Sequence, residues 1–508
     1  MAKKKVDRET GKKQATTSEC DLDSGYTTPI TTTRDFSLEN IKSVFKTSRY
    51  LQALVVITAL GLFFRFYDLG FNSLWLDEAT TYYQSILSPL QIWQSLNGAE
   101  FNPPLFYWAE HFILMIGNSE AILRFIPAVA GTLTIPLMYI LGKEYIDRNV
   151  GIIAAAAWAV SPFLIYYAQE ARAYSLMLFF ITLALIFYLR ALENNKLSNW
   201  VFFGVFSALA FWSHFYVFVF ILALSIYPLF LWLPDIKSKL KNLKMLVLGL
   251  GIFIVLSLPL LIVAVRLFGE EVGSTYIFGQ QGPTLIIETF SQISGFNDIA
   301  AVFLVILFIV GVIQAYYLSK TKGIFLMWIT LFTCLVSYVL SYKMSLFPRH
   351  HMFIILIFFI GIAISYKVFY SVWHHKAVVY LFIVALCLIS APTLVNYYSV
   401  YSKDDWRGFS NALAEKTSPG DFVITVPGYM NQPLDYYYSS AKAQTKEYAA
   451  TTGEDLEKLY SQRGNSTMYF VVTQDIGAAN PNGDAIAWLN NNTRYIGQDG
   501  GIFLFTSP

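Results

Sequence analysis

Phe71-Asn72-Ser73-Leu74-Trp75-Leu76-Asp77-Glu78-Ala79-Thr80 sets two adjacent carboxylates directly after the first long apolar run of the chain, residues 51–64. That run closes on Arg65-Phe66-Tyr67-Asp68, the polar edge expected where a helix leaves a bilayer, so Asp77 belongs just past a membrane exit, where a carboxylate stays in contact with water. Asp is also a good helix N-cap and residues 79–87 read as a short helix, so capping is the competing role for Asp77.

Working outward, the next apolar piece, 103–116, follows Pro103-Pro104 and is too short for a comfortable crossing. It reads as a helix on the outer surface, beside the one at 79–87. Counting it as a span would reverse every later crossing and put Lys143 and Arg148 outside, against the positive-inside rule. With the basic N-terminal segment inside, crossings at 51–64, 121–141, 150–166, 173–188, 200–212, 216–232 and 246–265 follow. Three more lead to His374-His375-Lys376, and a last one spans 378–394, about eleven in all. The composition agrees: 55% hydrophobic and 14% charged is far from the balance of a water-soluble domain and demands many apolar spans. The fold class expected is an all-α polytopic membrane protein with surface helices in its first loop.

Residues 1–45 are polar, with Lys3-Lys4-Lys5 and Lys12-Lys13, and read as a disordered cytoplasmic tail; residues 46–398 form the membrane domain. Residues 399–508 become soluble in composition, with a helical pattern at 406–415 and strands at 421–426, 468–473 and 501–506, which suggests a small extracytoplasmic α/β domain. Cys20, Cys334 and Cys387 are scattered without metal-ligand or disulfide spacing.

This topology puts Asp77, Glu78, Glu100, Glu170, Arg172, His214, Arg349 and His350 on one face, and membrane spans rarely carry such groups without a reason. Structural roles compete: a Glu170–Arg172 pair, Arg349 reaching to headgroups, His214 satisfying a hairpin. Trp75-Leu76-Asp77-Glu78, Glu100-Phe101-Asn102-Pro103-Pro104-Leu105, Tyr167-Ala168-Gln169-Glu170-Ala171-Arg172-Ala173-Tyr174 and Phe347-Pro348-Arg349-His350 together resemble the GT-C glycosyltransferases. The branch they resemble holds the dolichyl-phosphate-mannose protein mannosyltransferases and lipid A aminoarabinose transferase. Relatives often carry an acid-x-His-Pro-Pro pattern at the second motif, where this chain has Asn102. The resemblance implies surface helices between the first two spans, a donor sugar on a polyprenyl phosphate, inversion at the anomeric carbon, and Asp77 as catalytic base.

The residue types suit that chemistry. A sugar phosphate already has a good leaving group, so one carboxylate suffices to take the acceptor hydroxyl's proton, and Asp77 is the choice. Charge growing on the phosphate calls for cations, expected from Arg172 and Arg349 with His214, His350 and Tyr174 beside them. Glu78, Glu100 and Glu170 are left to orient the acceptor or to hold a divalent cation, the one cofactor this set suggests. Expected partners are a polyprenyl-phosphate-linked sugar, a glycan, lipid or protein acceptor, and membrane lipids, with no nucleic acid. The location is the cell membrane, N-terminus inside and C-terminal domain outside. A lipid transporter or flippase is the competing class; its charges tend toward the midplane and its sequence toward internal repeats, and neither is seen here.

Overall fold

A computed structural model describes residues 46–96, 98, 101–273, 279–400 and 402–508; the expected tail at 1–45 and Glu100 lie outside the described residues. From Tyr50 onward the chain packs as one unit. Among the described residues nine helices are long and apolar enough to cross a membrane. Counting the bent pair Arg148–Val160 and Pro162–Ala168 as one span makes ten, and the shorter apolar helix Leu197–Ser213, of 17 residues, stands at the crossing expected at 200–212.

The tenth span is not the straight crossing expected at 150–166. It bends by 58° at Ser161-Pro162. Pro162 has no N–H and its ring displaces the preceding turn, so the carbonyls of Trp158 and Ala159 lose their helical donors. Arg65 supplies replacements: Nη2 donates to Trp158 O at 2.9 Å and Nη1 to Ala159 O at 3.1 Å. Arg65, in the last turn of the first span, is therefore fully buried. Gly131 lets it pass, since a Cβ there would stand 3.0 Å from Arg65 Nε. Beyond the bend Gln169 Nε2 donates to Phe64 O, Arg65 O and Tyr67 O, covering the C-terminal carbonyls of the first span. The broken helix thus fixes the turn Gln169–Arg172 against the start of the first loop.

That loop holds the two surface helices expected, Leu76–Ser85 and Leu105–Ile113, and a third, Pro89–Ser95. The third starts on a capping box in which Ser88 Oγ accepts from Gln91 N while Gln91 Oε1 accepts from Ser88 N. The membrane core centres on two helices buried almost all round, Arg148–Val160 and the first two-thirds of Ile354–Trp373.

After the last span, Ala377–Ser399, helix Trp406–Lys416 leads into a five-stranded sheet of order β2-β1-β3-β5-β4. The strands are β1 Phe422–Val426, β2 Lys446–Ala449, β3 Met468–Thr473, β4 Arg494–Asp499 and β5 Ile502–Thr506. β1 pairs in parallel with β2 and β3, and the β4–β5 hairpin adds antiparallel to β3. The three strands expected are the buried ones. The other two, β2 and β4, have mostly half-buried or exposed residues and lack the apolar run that marks a strand in sequence.

The domain is fastened to the first loop. Tyr437 Oη accepts from Leu74 N at 2.8 Å and donates to Glu120 Oε1 at 2.8 Å; Arg407 Nη2 reaches Glu120 at 2.5 Å and Gly70 O at 3.0 Å. Ser73 Oγ donates to Asp405 Oδ1 at 2.9 Å, and Ser402 N donates to Asn72 Oδ1 at 2.9 Å.

Candidate active site

Helix Leu76–Ser85 starts from Trp75 in extended conformation, with no side-chain cap. Asp77 stands in the second helical position and does not cap. Its carboxylate, a quarter exposed, points Oδ2 at two guanidiniums, Arg172 Nε at 3.9 Å and Arg349 Nη2 at 4.0 Å. At these distances the contacts are charge against charge, too long for hydrogen bonds, so neither cation locks the oxygen. Arg172 is aimed by its neighbours, since Nη1 also donates to the Asp77 carbonyl at 3.2 Å. The Glu170–Arg172 pair that competes in sequence does not form among these contacts; Arg172 turns to Asp77 instead.

Arg349 comes from the far end of the membrane domain, in the single turn Pro348–His351. Its guanidinium lies 4.4 Å from the Phe347 ring centre and 6.0 Å from that of Trp75. Burial opposes its charge, but Tyr174, Asp77, Tyr167 and Glu170 around it hold it charged. Arg172, Tyr174 and His214 line a cleft with Asn102, Pro103 and Tyr107. Asn102 therefore occupies the cleft wall at the position where the resemblance sets His.

The histidines correct one expectation. His214 Nδ1 accepts from Tyr216 N at 3.2 Å, which leaves the ring proton on Nε2. Burial first, then Arg172 and Arg349, push His214 down to about 3, and burial, then His214 and Arg349, push His350 well below its ordinary value. At neutral pH both are neutral, so they bring hydrogen bonding to the cleft and no charge. The rings sit 5.6 Å apart, and Tyr174 lies 5.5 Å from His214.

The two glutamates also part company with expectation. Glu78 is fully buried and used up: Oε1 takes Arg124 Nε at 2.7 Å and Ala171 N at 2.8 Å, while Oε2 takes Arg124 Nη2 and Lys403 Nζ, both at 2.8 Å. Burial alone would push its carboxyl up, but Arg124 and Lys403 override it and hold it down to about 2. With its oxygens so committed, Glu78 orients the loop rather than an acceptor or a metal. The two cations respond oppositely. The bidentate fork keeps Arg124 charged, whereas burial outweighs the single contact of Lys403 and lowers it. Glu170 is fully buried with neither carboxylate oxygen hydrogen-bonded among the described residues; burial, with Glu78 and Asp77 nearby, pushes it up to about 7.

The site thus gathers Asp77, Arg172, Tyr174, His214, Arg349 and His350, with Glu170 beneath them and Glu78 withdrawn into the scaffold. Glu100, one of the three carboxylates expected to hold a divalent cation, lies outside the described residues. No three His, Cys, Asp or Glu converge among the described residues, and the exposed carboxylate is already flanked by two fixed positive charges. Sequence reading missed Arg124, a lone arginine ahead of an apolar run, and Lys403, four residues past the last span.

The overall fold matches ArnT of Cupriavidus metallidurans in the apo state at a TM-score of 0.61 and 12% identity, covering 90% of this chain and 98% of that one. The chain has the GT-C glycosyltransferase fold. The same enzyme bound to undecaprenyl phosphate matches at a TM-score of 0.58 and 12% identity, over 89% of this chain and 97% of that one. The oligosaccharyltransferase AglB of Archaeoglobus fulgidus, solved with an inhibitory peptide and a dolichol-phosphate, matches at 0.53 and 13% identity, over 90% of this chain and 74% of that one. Residues 102–262 match the family described as dolichyl-phosphate-mannose-protein mannosyltransferase. An uncharacterized protein of Aquifex aeolicus is 30% identical over 151 residues, which take in 28% of this chain and 30% of that protein's length.

Proposed function

We propose that the chain is a membrane glycosyltransferase that moves a sugar from a polyprenyl-phosphate donor to an acceptor hydroxyl on the outer face of the membrane. The observation that carries this reading is the Asp77 carboxylate set loosely between two guanidiniums in a GT-C fold. The donor phosphate enters beside Arg172 and Arg349, whose planar forks match its oxygens. Its arrival competes with Asp77 for those cations and leaves the carboxylate to face the acceptor.

The acceptor oxygen then attacks the anomeric carbon while its proton passes to Asp77. The bond from that carbon to the phosphate oxygen breaks, and polyprenyl phosphate departs with the electron pair. Arg172 and Arg349 counter the charge growing on it, and His214 has Nε2–H to offer as a neutral donor. One displacement by one base gives inversion. Arg148 and Lys322, at the membrane ends opposite the site, support the placing of the site outside.

The test incubates purified protein with a panel of polyprenyl-phosphate sugars and follows release of the lipid phosphate. Asp77→Asn should remove nearly all turnover while leaving melting temperature and donor binding intact. Wild-type turnover in Asp77→Asn would move the base elsewhere.

A further inference from the structure

A second opening shares no lining residue with the cationic cleft. It is a cavity of about 540 Å³, within the range of small-molecule sites, where the C-terminal domain meets the first loop. Trp75 and Tyr166 give it aromatic walls, and Lys403, Asp404, Asp405 and Asp499 give it charge. Glu78 is shared between Lys403 at 2.8 Å and Arg124, so Lys403 keeps part of its charge, but the three aspartates outnumber it and set the sign. The carboxylates of two are held by hydrogen bonds, and the third is placed by its strand backbone. Asp404 Oδ1 accepts from Gly501 N at 3.0 Å, Asp405 Oδ1 accepts from Gly408 N at 3.0 Å, and Asp499 pairs with Ile502 at the β4–β5 turn. The indole N–H of Trp75 is buried and has no hydrogen-bond partner among the described residues.

Trp75 links this cavity to the chemistry. It starts the helix that carries Asp77, and its ring lies 6.0 Å from the Arg349 guanidinium that faces Asp77. The two openings near the base are therefore opposite in character: one offers guanidiniums to an anion, the other offers carboxylates and ring faces. Carboxylates accept hydrogen bonds from hydroxyl or ammonium groups, and ring faces pack against C–H surfaces, so the second opening suits a sugar and repels a phosphate.

We infer that this cavity seats the acceptor, and that the acceptor presents a neutral or amine-bearing saccharide, not an anionic group. This rests on the transferase reading above and adds the acceptor's class to it. Charge sorts the two substrates: the anionic donor is kept out of the acceptor's seat.

The experiment uses the full-length protein in detergent and calorimetry with three probes: a neutral methyl disaccharide, its amino-sugar counterpart and its 6-phosphate ester. The neutral and amino probes should bind, and the ester should bind at least about tenfold more weakly, the scale of one or two unit-charge interactions across a partly solvated cavity. Asp499→Lys should narrow that gap by about fivefold. Should that variant fail to fold, added salt applied to the natural protein serves instead, since screening narrows the same gap. Equal binding of the ester, no binding by any probe, or a gap indifferent to both residue 499 and salt would overturn the inference. Lipid phosphate release with a mixed acceptor pool is read separately. Release with unselective saccharide binding sinks this inference alone, whereas selective binding without release from any donor sinks the transferase reading and with it the acceptor role, leaving only a saccharide-selective cavity.

Discussion

Glu78→Gln tests the claim that this residue serves the scaffold and not the chemistry. The change keeps the shape and removes the charge, leaving Arg124 and Lys403 buried with side chains 2% and 5% exposed. Arg124 cannot swing out to water, because it also donates to the carbonyls of Leu69 at 3.0 Å, Asn72 at 2.9 Å and Ser73 at 3.1 Å. Two routes give the size of the loss. Holding the carboxyl at about 2 against an ordinary 4.5 corresponds to about 3 kcal/mol of folding free energy at neutral pH. Breaking one side of a buried ion pair costs about 3–5 kcal/mol. Because the folded value is depressed, this stability is complete above the ordinary glutamate range and is lost as pH falls toward 2. Thermal unfolding of the purified protein at neutral pH should show a large drop in melting temperature for Glu78→Gln, partly recovered by adding Lys403→Met, which removes one stranded charge. An unchanged melting temperature, or a double variant no better than the single one, would refute the reasoning.

Glu170→Gln should act in the opposite sense. A carboxyl raised to about 7 by burial costs stability as pH climbs from the ordinary range to 7, so the amide should melt higher than the natural protein at pH 8 and equally at pH 4. Arg172→Lys keeps the charge and loses the fork, and should lower turnover about tenfold to a hundredfold, the worth of one charge-assisted contact of about 1.5–3 kcal/mol; wild-type kinetics and donor affinity would remove Arg172 from the site. Tyr437→Phe strands Leu74 N and loosens Glu120, at a cost of about 1–3 kcal/mol, and limited proteolysis between the last span and the sheet should speed up accordingly.

The membrane architecture was legible because length and charge are strong constraints in a bilayer: the short run after Pro103-Pro104 could not cross, and counting it would have broken the charge pattern at Lys143 and Arg148. Asp77, Arg172 and Arg349 were legible as polar groups at membrane edges, and they meet. What pairs with what was not legible. Glu78 and Asp77 are neighbours in sequence, but one helical step turns them about 100° apart, so one faces the cleft and the other Arg124. The charge state of His214 depends on burial and on two arginines from distant segments, which no local pattern encodes. The bend at Ser161-Pro162 had a visible signal in the proline, and a straight apolar run concealed it.

Lys403 stands between the last span and the soluble domain, yet its ammonium ends on Glu78 in the first loop, next to the residue proposed as base. The C-terminal domain is thus not a detachable cassette. Exchanging it with that of a relative at the obvious junction after Ser399 would replace Lys403, Asp405 and Arg407 together, taking Lys403 from Glu78 and Arg407 from Glu120. A working chimera would carry residues 402–407 over from this chain, or bring the donor's own first loop along with its domain.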